Sequence, residues 1–185
     1  MSTGAVGRDR LWETAVDQHG YVTAAQAYEQ GLSQPALAML VRRGRLEREA
    51  HGVYRIPEVP TTRYDPFALA VFWTGVDEAC LSHDTALAAY EVRDINPDRI
   101  HLTVAKHRRI RRSGGDAYAV HYEDLRPEQI AWWQEVPTVT LPIAIEQCIR
   151  SEVPGYLLHQ AVERGSARGQ INKNDERRLN AMLKP

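Results

Sequence analysis

Residues 20–57 read GYVTAAQAYEQGLSQPALAMLVRRGRLEREAHGVYRIP, and the order of signals in this stretch decides the fold. Tyr21-Val22 is a short β-prone step. Thr23 stands where a helix over Ala24–Gln30 needs an N-cap, because its hydroxyl can accept from the orphan N–H groups of the first turn. Gly31 closes that helix. Ser33 caps a further helix, Gln34–Arg43, with Pro35 in its first turn, where a missing N–H costs little. Leu37, Leu40 and Val41 share one face of it, and Gly44 stops it. The hydrophobic period then changes. Arg45–Ile56 alternates loosely around a turn containing Gly52, as a β-hairpin does, and Pro57 and Pro60 close the unit. Upstream, Arg8–His19 is predicted as an amphipathic helix ending at Gly20. Leu11 and Ala15 lie on its inner face, and Trp12 and Val16 are further candidates for that face. Helix, helix, short turn, helix, hairpin is the order of a winged helix-turn-helix. In that arrangement the third helix enters the major groove and the hairpin follows the backbone or the minor groove.

The side chains suit that placement. Ser33 and Gln34 sit at the N-terminal end of the third helix, where hydroxyl and amide groups meet base edges or phosphate. Arg42, Arg43, Arg45 and Arg48 cluster at its far end and in the first wing strand, and His51 and Arg55 belong to the wing. These eight residues are the expected DNA contacts. Glu47 and Glu49 dilute the wing's charge, and the competing reading is a solvated face on a protein-interaction module.

Beyond residue 60 the pattern is mixed. Asp65 is expected to cap a helix over Pro66–Trp73, and Ser82 to cap one over His83–Tyr90. Asn96-Pro97-Asp98 reads as a turn and Ile100–Ala105 as a strand. Lys106–Arg112 and a Ser113–Gly115 turn then lead to a returning strand, Ala117–Tyr122. Ile130–Thr140 holds one or two strands around Pro137, and Pro142–Arg150, Gly155–Arg168 and Lys173–Leu183 read as helices. The expected fold class is α+β. A winged helix-turn-helix over residues 1–60 is followed by a mixed α/β domain over 61–185, joined at the Pro-rich stretch 57–66.

Composition excludes several classes. The chain has 185 residues, 43% hydrophobic and 25% charged, within the range of globular domains. The longest apolar run, Phe67–Trp73, is far short of the ~20 residues of a membrane span. The opening MSTGAVGRDRLWE lacks the apolar stretch of a secretory signal. Cys80 and Cys148 are too few for a disulfide framework and wrongly spaced for a zinc ribbon. The expectation is therefore a cytoplasmic protein with no membrane contact. Net charge is −1, so bulk attraction to nucleic acid is unavailable and the distribution of charge matters instead. Residues 116–155 carry 2 basic and 7 acidic side chains, and residues 156–185 carry 6 and 3.

The stretch GYVTAAQAYEQGLSQPALAMLVRRGRLEREAHGVYRIP resembles the N-terminal module of AbiEi-type antitoxins, of type IV toxin–antitoxin systems. Gly44-Arg45-Leu46 followed by Gly52-Val53-Tyr54-Arg55 is its most distinctive part. Gly44 breaks the recognition helix, and Leu46, Val53 and Ile56 can pin the wing to the core. The C-terminal region resembles the same family through SHDTAL (82–87), RIHLTV (99–104), VTLPIAIEQCI (139–149) and HQAVERGSARGQI (159–171). It departs near Pro142, where the family often places an Arg-Thr pair and this chain has Ile143-Ala144. The resemblance implies a non-enzymatic antitoxin. Such a protein binds operator DNA, as inverted or direct repeats upstream of its own operon, and represses it. It counteracts a nucleotidyltransferase-type toxin encoded beside it, with or without a direct complex. A stand-alone repressor without a toxin, and a DNA-targeted nuclease, are the alternatives from other classes.

Other residues carry candidate chemistry. Lys106, Arg108, Arg109, Arg111 and Arg112, at what reads as a hairpin end, could grip phosphates, or else form a solvated or toxin-facing tip. Arg164, Arg168, Lys173, Arg177 and Arg178 read as a solvated helix face. Ser82-His83-Asp84 carries the letters of a hydrolase triad, but neighbours at a helix start diverge, so Ser82 is read as a cap. No G-x-S-x-G, P-loop or H-E-x-x-H occurs, and the carboxylate–Lys set of a metal nuclease is missing. His83, His101, His107, His121 and His159 share no ligand spacing, so neither a metal nor another cofactor is expected. Of Trp132 and Trp133, one is expected in the core and the other at the surface.

Overall fold

The structure, a computed structural model, describes residues 11–92 and 97–183. The start of the first predicted helix at Arg8 and the Asn96 end of the predicted turn lie outside them. The chain forms two compact units. The first holds 1–77 together with 110–114 and 134–136, and the second holds 78–109, 115–133 and 137–185.

In the first unit, helix α1 covers 11–16 of the described residues and ends at His19-Gly20, both at positive φ. Strand β1 (Tyr21–Thr23) leads into α2 (Ala24–Glu29). There the Thr23 hydroxyl accepts from the Gln26 N–H, while the Gln26 side chain accepts from the Thr23 N–H. This reciprocal capping box satisfies two orphan donors at once. Helix α3 (Gln34–Arg42) is capped by Ser33, and Gly44 follows in the left-handed region at φ 64°. Strands β2 (Glu47–Ala50) and β3 (Val53–Arg55) pair antiparallel, and β1 joins the far side of β3, giving the order β1-β3-β2. The core beneath is Leu11, Ala15, Val22, Ala27, Leu32, Leu37, Leu46, Ile56 and Val59. Each large aliphatic contributes about 1.5–3 kcal/mol by leaving water. Helix order and strand pairing are those of a winged helix-turn-helix. Trp12 and Val16 are corrections, being 37% and 51% exposed on the outer side of α1.

Helix α4 (Asp65–Thr74) completes this unit. Asp65 is its first helical residue and makes no capping bond. Its buried carboxylate instead accepts from the Thr62 N–H and hydroxyl and lies 3.6 Å from the Arg55 guanidinium. Gly75 ends the helix at φ 69°, where a Cβ would also run into the Arg112 guanidinium.

The second unit is a five-stranded mixed sheet with helices. Its order is β6-β5-β4-β8-β7, from β4 (Cys80–Leu81), β5 (Ile100–Val104), β6 (Tyr118–Tyr122), β7 (Ile130–Trp133) and β8 (Val136–Val139). Helices α5 (His83–Ala89), α6 (Leu141–Arg150), α7 (Gly155–Ala167) and α8 (Lys173–Met182) supply most of its core, including Leu87, Leu141, Ile145, Leu158, Val162 and Leu179. Ile143 and Ala144 are both buried there. Gly165 on α7 admits close packing, since a Cβ would come within 2.7 Å of both Ile171 and Leu141.

Three sequence expectations are corrected in this unit. Strands β5 and β6 run parallel, Ile100 beside Tyr118 through Val104 beside Tyr122, so β6 does not return. Parallel neighbours cannot be joined by a tight turn, and the basic run lies in a crossover rather than at a hairpin tip. Ser82 precedes α5 but makes no capping bond; its hydroxyl lies 3.0 Å from His83 Nδ1. Trp132 is 71% exposed and Trp133 half-buried, so neither is fully in the core.

Candidate nucleic-acid interface

The exposed face of α3 is the feature a duplex would meet. Gln34, Ala38 and Arg42 follow one another at i, i+4 and i+8 on the solvent side, flanked by Pro35 and Met39. Leu37 points the other way and is 1% exposed. Ser33 is exposed at the start of the helix. Its Oγ accepts from the Ala36 N–H at 3.4 Å, which leaves its O–H free to donate outward. Ala38 and Met39 escaped the sequence reading, although the polar stripe opposite Leu37, Leu40 and Val41 was the signal for them. A small and an apolar side chain there permit close approach and contact with a thymine methyl.

Arg42, Arg43, Arg45, Arg48 and His51 are all exposed. Among the described residues no acidic side chain pairs with Arg42, Arg43 or Arg48. Arg45 lies 3.3 Å from Glu58 in an open pair worth little in water. The wing turn is fixed by the Ala24 N–H donating to the Gly52 carbonyl at 2.8 Å. Strand β2 shifts register between Arg48 and Ala50, so Glu49 sits in a bulge.

Arg55 does not belong with these residues. It is 7% exposed, donates to the Val59 carbonyl at 2.7 Å and faces Asp65. A guanidinium held in that way is part of the fold.

The crossover cations divide in the same manner. Arg108 grips Glu78 with two nitrogens, at 2.5 and 3.0 Å, and this contact holds the Glu78 carboxyl below its ordinary range. Arg112 donates to the His51 carbonyl at 2.6 Å. Arg109 donates to the Lys106 and Arg108 carbonyls, closing its own loop. Lys106 and Arg111 are exposed and have no side-chain ion pair among the described residues. If the run holds phosphates, Lys106→Ala with Arg111→Ala lowers the salt slope of DNA binding by about 2, roughly 0.9 per phosphate contact. An unchanged slope in a titration of affinity against salt removes the run from the interface. Of the basic C-terminal residues, Arg168 donates to the Tyr90 and Glu91 carbonyls and Arg178 pairs with Glu146 and Asp175.

Within the second unit, three histidines converge although their sequence spacing predicts no common ligand set. His83 opens α5 at φ 49° and is 7% exposed. His101 and His121 lie on one face of the β5–β6 pair, because His121 is beside Thr103, two residues along from His101. One nitrogen of each lies within 4.8 Å of the others. His101 Nδ1 is 3.0 Å from His121 Nε2, and the His83 and His121 rings stack at 3.6 Å. Burial pushes His83 down to about 3, with His121, His101 and Arg150 adding repulsion. Burial likewise takes His121 to about 4 despite Glu123, and lowers His101, with Arg99 contributing. All three are neutral at pH 7. Cys80 is buried, its thiol pushed up to about 12, and is inert as a nucleophile.

These shifts carry a sign. With folded values below the unfolded 6.5, the unfolded chain binds more protons as pH falls through 6.5 toward 4. Stability from these groups is therefore complete above 6.5 and lost progressively below it. Urea unfolding in EDTA buffer is expected to show a lower midpoint at pH 5 than at pH 7.5, with a shallower loss in His121→Gln. A loss equally steep in that variant would assign the effect elsewhere.

No curated protein matches the chain. Among solved structures, the chain is similar to the RV2827C protein from Mycobacterium tuberculosis, with a TM-score of 0.50 and 15% identity over 97% of this chain and 82% of that one. At that identity the likeness is one of fold. Among the described residues no helix is long and apolar enough to cross a membrane. Residues 9–57 match the family model described as transcriptional regulator, AbiEi antitoxin. That stretch, with its capped helices, its arginine-ended third helix and its wing, is similar to the AbiEi antitoxin transcriptional-regulator model over about a quarter of the chain.

Proposed function

We propose that residues 1–60 bind operator DNA upstream of the protein's own operon and repress it. Residues 61–185 act against a nucleotidyltransferase-type toxin encoded beside it. The observation that carries this reading is the exposed set Arg42, Arg43 and Arg48, unpaired among the described residues and adjoining the Gln34–Ala38–Arg42 stripe, inside a stretch that matches the antitoxin-regulator model. Ser33 and Gln34 would read base edges, Arg42 and Arg43 would fix the far end of α3, and Arg45, Arg48 and His51 would follow the backbone along the wing. Winged helices bind repeated operators as two copies, so inverted or direct repeats are the expected target. Such a protein works where its DNA is, in the cytoplasm. The regulator family gives no role to catalysis, and no enzyme activity is proposed.

A promoter–reporter assay tests the first half. The intact protein is expected to lower expression from its own upstream region, and Arg42→Ala/Arg43→Ala to restore it. Equal repression by both would remove α3 from the reading. Co-expression with the neighbouring toxin gene tests the second half. Rescue of growth by the whole chain, retained when Arg42 and Arg43 are replaced, places the neutralising activity outside the DNA-binding face. Repression without rescue would make the protein a stand-alone regulator.

A further inference from the structure

The histidine cluster of the second unit is not used by the reading above. His83, His101 and His121 come from α5, β5 and β6, separated by 18 and 20 residues, and meet on one face of the sheet. We propose that His83, His101 and His121 form a binding site for a first-row divalent cation of the Zn2+ class, held by three imidazole nitrogens with a fourth position open to water. The site would tie the start of α5 to the β5–β6 pair.

Three observations support it. First, the nitrogens are already close. Two of them are 3.0 Å apart and the set spans 4.8 Å, whereas tetrahedral ligands at Zn–N distances of about 2.0–2.1 Å lie roughly 3.3 Å from one another. A tilt of the His83 ring about its Ser82 contact would close the difference. Second, the His101–His121 hydrogen bond requires one of its two nitrogens to carry no proton, the form that coordinates. The proton shared between His101 Nδ1 and His121 Nε2 moves to the donor ring's other nitrogen, so no net charge is released from the pair. Third, polar partners stand behind His83, as they do behind metal-bound imidazoles. Ser82 Oγ sits at His83 Nδ1, leaving Nε2 for the ion. The wholly buried Gln147 accepts from the His83 N–H and donates to Glu123 Oε2 at 2.8 Å. Glu123, two residues beyond His121, is also bound by Arg150 at 2.6 Å. With that carboxylate engaged, the ligand set is all nitrogen. Nitrogen ligands select Zn2+, Co2+, Ni2+ or Cu2+ over Mg2+ and Ca2+.

The test uses the full chain without a histidine tag, stripped with chelator and dialysed. Calorimetric titration with ZnCl2 is expected to saturate at one equivalent and to raise the melting temperature with concentration, as binding to the folded form alone requires. Mg2+ is expected to do neither. Co2+ is expected to give the visible absorption of a tetrahedral site. Long-range 15N spectra should show three imidazoles shifting together. His101→Gln and His121→Gln are each expected to weaken binding by more than about tenfold, the lower end of what even partners behind the ligands cost, while the exposed His107→Gln leaves it unchanged. If the variants fail to fold, the Co2+ spectrum and the imidazole shifts of the unaltered chain decide. Absence of a one-equivalent event, or shifts confined to His51, His107 or His159, would overturn the site and leave a hydrogen-bonded imidazole pair with His83 stacked on it. DNA binding is read separately, so failure here leaves the regulator reading untouched.

Discussion

The protein with Arg42 and Arg43 both replaced by alanine is expected to bind its operator about 10- to 100-fold more weakly, and to melt where the unaltered protein melts. Both guanidinium groups are exposed at the end of α3 and make no ion pair among the described residues, so the fold loses nothing when they go. A duplex laid along α3 loses two charge-assisted contacts, each worth about 1–3 kcal/mol if it reaches a base and less if it reaches only phosphate. Gel shift on operator and shuffled duplexes separates the two cases. A loss on operator alone assigns base contact, and an equal loss on both assigns phosphate. Unchanged affinity on both would place the DNA elsewhere on the protein.

The second large effect falls on stability. Arg55→Ala is expected to destabilise the first unit by about 3 kcal/mol, the scale of breaking a buried ion pair from one side. That corresponds to at least about 10 °C in melting temperature for a unit of this size. Removing Arg55 leaves the Val59 carbonyl without its 2.7 Å donor and the Asp65 carboxylate facing only Thr62 and His19. One Asp65 oxygen already lacks a hydrogen-bond partner among the described residues, so it has little in reserve. Arg55→Lys restores little, because an ammonium cannot reach carbonyl and carboxylate with one planar fork. Arg55→Met with Asp65→Leu is expected to recover part of the loss, since neither charge is then stranded. If Arg55→Ala instead melted normally and bound DNA poorly, Arg55 would return to the interface.

Arg55 also shows where sequence reading stops. The first sixty residues were legible because their signals are local. Thr23 and Ser33 stand one residue before helices they cap, and Gly20, Gly31 and Gly44 take the left-handed conformation that ends a helix. Leu46, Val53 and Ile56 are buried, as their apolar character in the wing foretells. Arg55 sits among them in a wing, where cations ordinarily meet phosphate. What buries it is Asp65, ten residues on, across a stretch that reads as a linker. Asp65 in turn reads as a helix cap, because its partner was not visible to a local rule.

The second unit was legible as elements and opaque as topology. Every strand and helix named from 100 onward exists. Alternation in Tyr118–Tyr122, however, says only that a strand is present, not which neighbour it takes or in which direction. A turn of Ser, Gly and Gly before it suggested a hairpin, whereas β6 lies parallel to β5. That choice moves the basic run from a hairpin tip into a crossover, and it brings His121 beside Thr103. The histidine cluster is thus a product of strand pairing. Metal-site rules based on spacing within a helix or a knuckle could not have found it. His101 and His121 at alternating positions of two strands were the only trace.

Fluorescence anisotropy of the whole protein on its own upstream DNA and on a shuffled duplex, at about 50 and 200 mM salt, tests the central claim most directly. The expected result is operator binding at least about a hundredfold tighter than shuffled at the higher salt, with the difference removed by replacing Arg42 and Arg43. Equal, weak binding to both duplexes that vanishes with salt, or no binding to either, would contradict it and make α3 and its wing a surface for another protein.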